Sequence, residues 1–397
     1  MILKNVTIYT EEGNFKTGEV QIEEGRIKNV CESLIAVSDG ADCLDGKGCY
    51  LIPGMIDIHL HGCRGYDFCD ADLEALREIA CYQAAIGVTT FAPATMTLSE
   101  EKLCEILAQG ANYYQGKIAG KYMDGADLAG INMEGPFICK EKKGAQNAEY
   151  IRKPEIEVFR KFQKSAEGLV KYIGVAPETE GAIPFIEEAR KEVRVTVAHS
   201  NADYEKAKAA FEAGACHVTH LYNGMSSYSH REPGIVGAAW DCKHVEAEMI
   251  CDGIHVHPSV IRATFAMLGK ERIIFVSDSI RATGMQDGEY ELGGQTISVK
   301  GHCAVIKGTD TIAGSVVTLP ECLRYVVKVA GIPLEDALRC VTRNPAVSLG
   351  IYQECGSVSV GKKADFVLLD KDLMVAGVIK NGRLLDNKFE KTQKLSK

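Results

Sequence analysis

At 397 residues, with 46 % hydrophobic and 25 % charged side chains, the chain has a globular composition and room for two or three compact units, or for one α/β barrel with a small companion. A net charge of −9 speaks against a surface that tracks phosphate backbones, so no nucleic-acid partner is expected, although a local basic pocket for a small anion is allowed. Fifteen cysteines, an odd count without a Cys-x-x-Cys pair, match neither a disulfide framework nor a zinc ribbon; with Cys216, Cys251, Cys322 and Cys340 inside apolar segments, they read as reduced thiols of a cytoplasmic protein.

The N-terminal stretch carries acidic residues where a signal peptide needs an apolar run. No apolar stretch approaches the roughly 18 residues of a membrane span, so no membrane partner is expected. Residues 6–9 are apolar and β-branched, 19–22 alternate polar with apolar, and Glu24-Gly25 and Asp45-Gly46 mark turns. Eight short apolar runs then follow, at 55–61, 88–92, 129–134, 170–176, 193–199, 216–220, 245–252 and 272–278. Helical patterns separate most of them. In 203–213, for example, Tyr204, Ala207 and Phe211 share a face and Gly214 stands at the stop position. Residues 284–311 are rich in Gly and polar side chains and read as inserted β-hairpins. Helices are expected over about 319–330 and 334–341. The C-terminus returns to β signals: 356–361, 364–369, and 378–383 with an Asn-Gly hairpin turn. Eight buried strands alternating with helices predict an α/β fold, a (β/α)8 TIM-like barrel over 52–350. The flanking pieces, 1–51 and 351–397, are each too short for a core and combine into one small β-sandwich domain.

The apolar runs finish in His59-Leu60-His61, Glu134, His199, His220 and Asp278. In a barrel these ends open onto one face, where active sites are built. A two-residue spacing on a strand turns His59 and His61 to the same side. Alone, such a pair reads as two satisfied histidines beside a turn; four further ligand-type residues at strand ends favour the metal reading. Glu134 is costly to bury unpaired, and a structural ion pair or a cation would each satisfy it. Either His199 or His220 alone reads as a hydrogen-bonded core histidine. Together with Glu134 they form a His2Glu set, a catalytic arrangement that leaves a position for water. Metal lowers the pKa of its water to about 7, and an adjacent carboxylate such as Asp278 accepts the proton. Asp278 as a helix N-cap is disfavoured, because 281–284 does not continue helically.

These strings, in chain order over residues 50–350, carry a resemblance. They are Pro-Gly-Met-Ile-Asp-Ile-His-Leu-His-Gly at 53–62, Glu134-Gly135-Pro136-Phe137, Lys143-Gly144-Ala145-Gln146-Asn147, Ala198-His199-Ser200 and His220-Leu221-Tyr222-Asn223-Gly224-Met225. Then come Arg231-Glu232-Pro233-Gly234, Asp252-Gly253-Ile254-His255, Ser277-Asp278-Ser279-Ile280-Arg281-Ala282-Thr283-Gly284 and Ala313-Gly314-Ser315. The chain resembles the amidohydrolase superfamily and, within it, the N-acetylglucosamine-6-phosphate deacetylases of amino-sugar catabolism. That resemblance implies metal-dependent hydrolysis of the acetamide of N-acetylglucosamine 6-phosphate to glucosamine 6-phosphate and acetate. It implies that Glu134, His199 and His220 hold one divalent metal (zinc, iron, manganese or cobalt) and that His59 and His61 help hold a second. By the same resemblance His255 orients the substrate and Asp278 is general base, then acid. Asn223, the Gly224 backbone and Arg231 bind the phosphate; Ala145, Gln146, Ile312, Ala313, Gly314 and Ser315 line the sugar. Gln146 stands where many members carry His. A homodimer is implied, with the region of Arg231 near the partner's site.

Three alternatives stand beside this reading. One is a deacetylase of another N-acetylhexosamine phosphate, such as N-acetylgalactosamine 6-phosphate. Another is a cyclic-amide hydrolase with a bridging Lys on the fourth strand; here the only Lys of that run is Lys171, at its start. The last is a non-catalytic scaffold, which loss of ligands would mark, and none is lost.

Overall fold

A strand buried on both faces needs a neighbour at each edge and a helix outside it, and the alternating runs supply both. In the computed structural model, which describes residues 1–31 and 42–385, the barrel strands are Met55–Asp57, Val88–Phe91, Ile131–Phe137, Val170–Val175, Arg194–Val197, His217–Val218, Glu246–Ile250 and Ile273–Val276. The first two pair in parallel, and each strand from the third onward pairs in parallel with the next. The second and third meet through the short strands Ala94–Thr95 and Asp127–Leu128. The ring closes where the Asp278 N–H donates to the His59 carbonyl (2.9 Å) and the His61 N–H to the Ser279 carbonyl (2.7 Å).

Along the strands alternate residues face outward and inward. Ile173, Val195, Val197, Val218, Ala247, Met249 and Phe275 pack against the helices with Phe159, Phe185 and Phe211. Helix Tyr204–Ala213 starts where Asp203 accepts the Lys206 N–H at 2.9 Å and stops at Gly214, φ 119°. The pattern over 319–330 divides into an α-helix, Leu319–Tyr325, and a π-helical turn, Val326–Ala330; a one-residue widening of a turn leaves no mark in the apolar period. The insert after the eighth strand forms the antiparallel sheet Gly288–Leu292, Gln295–Lys300 and Cys303–Ile306. Among the described residues no helix is long and apolar enough to cross a membrane.

The two ends of the chain share a second sheet. Tyr50–Pro53 pairs with Ile2–Tyr9 on one side and with Phe366–Leu369 on the other. The sheet encloses its own core, with Leu3, Val20, Ile27, Leu51, Phe366 and Ile379 drawn from both ends. Glu24-Gly25 (φ 50° and 74°) and Asn381-Gly382 (φ 50° and 75°) make the hairpin turns that their side chains favour. Residues 356–361 are not a strand. The segment bends past the sheet instead, tied by the Gly361 N–H to the Ile27 carbonyl at 2.8 Å.

Asp127 joins sheet to barrel. Its carboxylate lies 2.9 Å from Lys380 and Lys117 and 2.8 Å from Lys363, while the buried Lys380 also lies 2.7 Å from Asp365. Burial alone would raise the pKa of Asp127; Lys380, Lys117 and Lys363 outweigh it and hold the group well below the usual carboxylate range. A depressed carboxylate stabilises the fold above its unfolded pKa of about 3.9 and loses that contribution as pH falls further. Asp127→Asn should therefore cost about 3–5 kcal/mol at neutral pH, read as a lower urea midpoint. The gap to wild type should narrow below about pH 4. An unchanged midpoint at pH 7 would show that the cluster is not a structural joint.

Candidate metal centre

The chain turns sharply where three barrel strands end. His199, His220 and Asp278 all adopt left-handed backbone, with φ of 44°, 27° and 49°. Such conformations cost about 1–3 kcal/mol each in non-glycine residues, and here they swing all three side chains into the mouth. Two glycines make room. A Cβ on Gly224 (φ 60°) would stand 2.9 Å from His199 Nδ1 and 3.4 Å from His220 Cε1. A Cβ on Gly135 (φ 102°) would stand 2.2 Å from Thr97 Oγ1. The third strand runs past Glu134 to Phe137, with a register shift at this point; Glu134 thus sits inside the strand rather than at its end. His59 and His61 lie just beyond the strand Met55–Asp57.

Glu134 is the hub. Its Oε1 lies 2.9 Å from His199 Nε2, 2.8 Å from His220 Nε2 and 3.5 Å from His59 Nε2; its Oε2 lies 3.4 Å from His61 Nε2. Two triads result, His59–His61–Glu134 and Glu134–His199–His220, each with ligand atoms within 4.8 Å of one another. Behind the rings every Nδ1 has an outward partner: the Lys142 carbonyl for His199 (2.7 Å), the Asn223 carbonyl for His220 (3.1 Å), the Ala94 carbonyl for His61 (3.2 Å) and Glu248 Oε2 for His59 (2.8 Å). Acceptor-only partners require Nδ1 to carry the proton. All four rings therefore direct Nε2 at the centre, the arrangement found behind metal-bound imidazoles.

The donor set fits a divalent cation. His59 Nε2 and Asp278 Oδ1 are buried 3.6 Å apart, and neither has a hydrogen-bond partner among the described residues. Asp278 Oδ1 also lies 3.2 Å from His61 Nε2. Burial pulls His61 down, but Asp278 and Glu134 outweigh it and push it up to about 10. Burial likewise opposes a low pKa at Glu134, and the charges of His199 and His59 hold it well below the carboxylate range. The centre thus calls for positive charge, which a bound metal would supply.

The centre lines one wall of a cavity of about 320 Å³. Ala145, Gln146, Asn223, Gly224, His255, Ile312 and Gly314 line it as well, together with Met96, Leu292, Asp310 and Thr311. Ala313 and Ser315 stand behind the wall: the Ala313 N–H bonds the Ala304 carbonyl (3.0 Å), and Ser315 Oγ donates to the Ser277 carbonyl (2.7 Å). Gln146 is engaged on both arms. Its Nε2 donates to Glu134 Oε2, and its Oε1 accepts the Thr97 N–H, both at 2.6 Å. His255 Nδ1 is held by Asp252 Oδ2 at 2.7 Å. Arg231 is exposed and outside the lining residues. Its loop rests Tyr228 on Trp240, ring centroids 4.8 Å apart. Sequence reasoning missed Glu248, Asp252 and the pinning role of Gln146. A usable signal for Glu248 was a carboxylate in the middle of a barrel strand, flanked by Ala247 and Met249.

A model for the amidohydrolase family matches residues 50–385. The chain is 34 % identical over 385 residues to an N-acetylglucosamine-6-phosphate deacetylase of Bacillus subtilis (strain 168), covering 97 % of this chain and 96 % of the relative. An N-acetylgalactosamine-6-phosphate deacetylase of Escherichia coli O157:H7 is 32 % identical, covering 96 % of this chain and 98 % of the relative. Among solved structures, a mutant N-acetyl-D-glucosamine-6-phosphate deacetylase from Mycobacterium smegmatis, in complex with N-acetyl-D-glucosamine-6-phosphate, matches with a TM-score of 0.88. It is 32 % identical, with 97 % of this chain and 99 % of that one covered.

The geometry predicts that His199→Ala, which removes one ligand and the Glu134 contact with it, loses metal from the purified protein while far-UV circular dichroism stays unchanged. Full metal content in that variant would remove His199 from the ligand set.

Proposed function

The chain belongs to the amidohydrolase family, and on that premise we propose that it hydrolyses the acetamide of N-acetyl-D-glucosamine 6-phosphate to D-glucosamine 6-phosphate and acetate. The observation that carries this reading is the pair of triads sharing Glu134, beside the Asp278 oxygen that lies against His59 and His61 without a hydrogen bond. N-acetylgalactosamine 6-phosphate is the second substrate to test, because a similar relative is named for it. Glu134, His199 and His220 would hold one divalent ion, and His59 and His61, sharing Glu134, a second. Imidazole and carboxylate donors suit zinc, iron, manganese or cobalt.

An amide resists hydrolysis because its carbonyl is weakly electrophilic and its amine leaves poorly. A bound cation supplies Lewis-acid polarisation of the acetyl carbonyl and acidifies water. The chain's own groups do the rest. Asp278 takes a proton from the attacking water and delivers it to the departing nitrogen, so the amine leaves neutral. Burial pulls His255 down, but Asp252 outweighs it and raises its pKa above the ordinary histidine value. With Nδ1 tied to Asp252, Nε2 is the nitrogen left for the acetyl oxygen, to which it donates when the ring carries its second proton. The phosphate does no chemistry; its binding energy aligns the acetamide. Asn223 and the Gly224 backbone, which line the cavity, would take the phosphate, and Ala145, Ile312 and Gly314, with Ala313 behind them, would border the sugar.

Among the described residues, no Lys or Arg lines the cavity. This supports a homodimer in which Arg231, on its exposed loop, grips the phosphate in the neighbouring subunit's site. The chain is read as a barrel, 52–350, with a companion domain from 1–51 and 351–397. Its fifteen free thiols suit a reducing, cytoplasmic setting.

Asp278→Asn should lower kcat more than about a hundredfold, since general acid–base assistance is worth 10²–10⁴. Near-normal kcat would assign the proton to another group. Arg231→Met should remove a charge-assisted hydrogen bond worth about 1.5–3 kcal/mol, so kcat/KM on the phosphorylated sugar falls roughly ten- to a hundredfold while N-acetylglucosamine is unaffected. Mixing the two variants should restore activity if each Arg231 serves the partner's site; no recovery would make the site self-contained.

A further inference from the structure

We propose that Glu248, braced by His217, is a positioning residue that fixes His59 from inside the barrel and sets the affinity of the second metal site. The inference rests on the two-ion reading above. Three of the four ligand rings lean on backbone carbonyls, whereas His59 alone leans on a carboxylate, Glu248 Oε2, at 2.8 Å. That carboxylate is wholly buried among the inward-facing residues of the barrel. The same Oε2 accepts the His220 N–H at 3.1 Å, and Oε1 meets His217 Nε2 at 3.1 Å. One side chain therefore fixes a ligand ring of the second triad and the strained backbone of a ligand of the first.

The bracing continues down the barrel. His217 packs on the Tyr172 ring, centroids 5.2 Å apart, and its Nδ1 lies 3.5 Å from Glu246 Oε2. Arg194 holds Glu246 at 2.8 Å, and Ser348 Oγ donates to it at 2.6 Å. Barrel interiors are ordinarily filled by branched aliphatic side chains. Buried ion pairs commonly add no stability over apolar residues of the same volume, so stability does not account for Glu248 and His217 in that place. Orientation does. A carboxylate behind an imidazole fixes the ring, makes its free nitrogen a stronger donor, and adds negative charge one residue from the cation. No other ligand ring of the centre has that support, so its loss falls chiefly on the site that uses His59.

The test is a Co2+ titration of chelator-stripped full-length protein, following visible absorption and resolving each equivalent with a competing chelator. Glu248→Gln keeps the side-chain shape and one accepting oxygen, removes the charge and turns the other oxygen into a donor. We expect the first equivalent to bind as in wild type and the second to weaken ten- to a hundredfold, with an altered visible band. His217→Gln, which keeps Glu248 but alters its brace, should shift the second equivalent in the same direction by less. Wild-type affinity and spectrum for the second equivalent in Glu248→Gln overturn the inference, as does equal weakening of both. If Glu248→Gln does not fold, an unshifted second equivalent in His217→Gln overturns it. A wild-type chain that takes up one Co2+ overturns it together with the two-ion reading. Acetate release by the wild type, measured in parallel, tests the substrate assignment separately.

Discussion

One carboxylate organises the centre. Glu134 is buried and stands within 3.5 Å of four imidazole nitrogens drawn from three different strand ends. A carboxylate in that setting is costly unless positive charge meets it. The rings do not offer that charge freely, because each Nδ1–H is committed to a partner behind it. Either extra protons or a cation must occupy the space between. Much of the mouth follows from that requirement: the Gln146 amide that pins the outer oxygen, the carbonyls behind the rings, and the Asp278 oxygen left without a hydrogen bond.

The barrel tolerates local strain to meet it. Three left-handed non-glycine residues at strand ends are held by neighbours that leave no alternative. The Gly224 turn passes two of the rings at a distance that leaves no space for a Cβ, and the Ser279 and His59 carbonyls tie the first strand to the eighth. Away from the mouth, the Asp127–lysine cluster fastens the terminal sheet to the barrel. The ligand rings are buried and hydrogen-bonded from behind, and the barrel is polar inside where Glu248 and His217 stand. Support of this kind is what a preorganised site requires.

Much of this was legible in the sequence, for physical reasons. His59 and His61 declare a shared direction by their spacing, and Glu134 declares itself as a carboxylate in an apolar run. The strand count and the Asn-Gly turn at 381–382 follow from period and turn chemistry. Less legible was whatever depends on contacts across the barrel. Glu246 and Glu248 look alike in sequence, yet only Glu248 reaches a ligand ring. Gln146 reads as a sugar contact, whereas its neighbours turn both arms toward Glu134 and Thr97. The strand signal at 356–361 is overridden by tertiary placement, and the positive φ of His199, His220 and Asp278 has no signature in residues that carry a Cβ.

Deacetylation by this chain would depend on a divalent cation held around Glu134. The decisive measurement is acetate release from N-acetylglucosamine 6-phosphate alongside the metal content of freshly purified protein, before and after chelation. Bound divalent metal, acetate release, loss of both on chelation, and recovery of both when the metal is returned are the expected results. Undiminished acetate release from metal-free protein, or metal-loaded protein that releases no acetate, would contradict this reading.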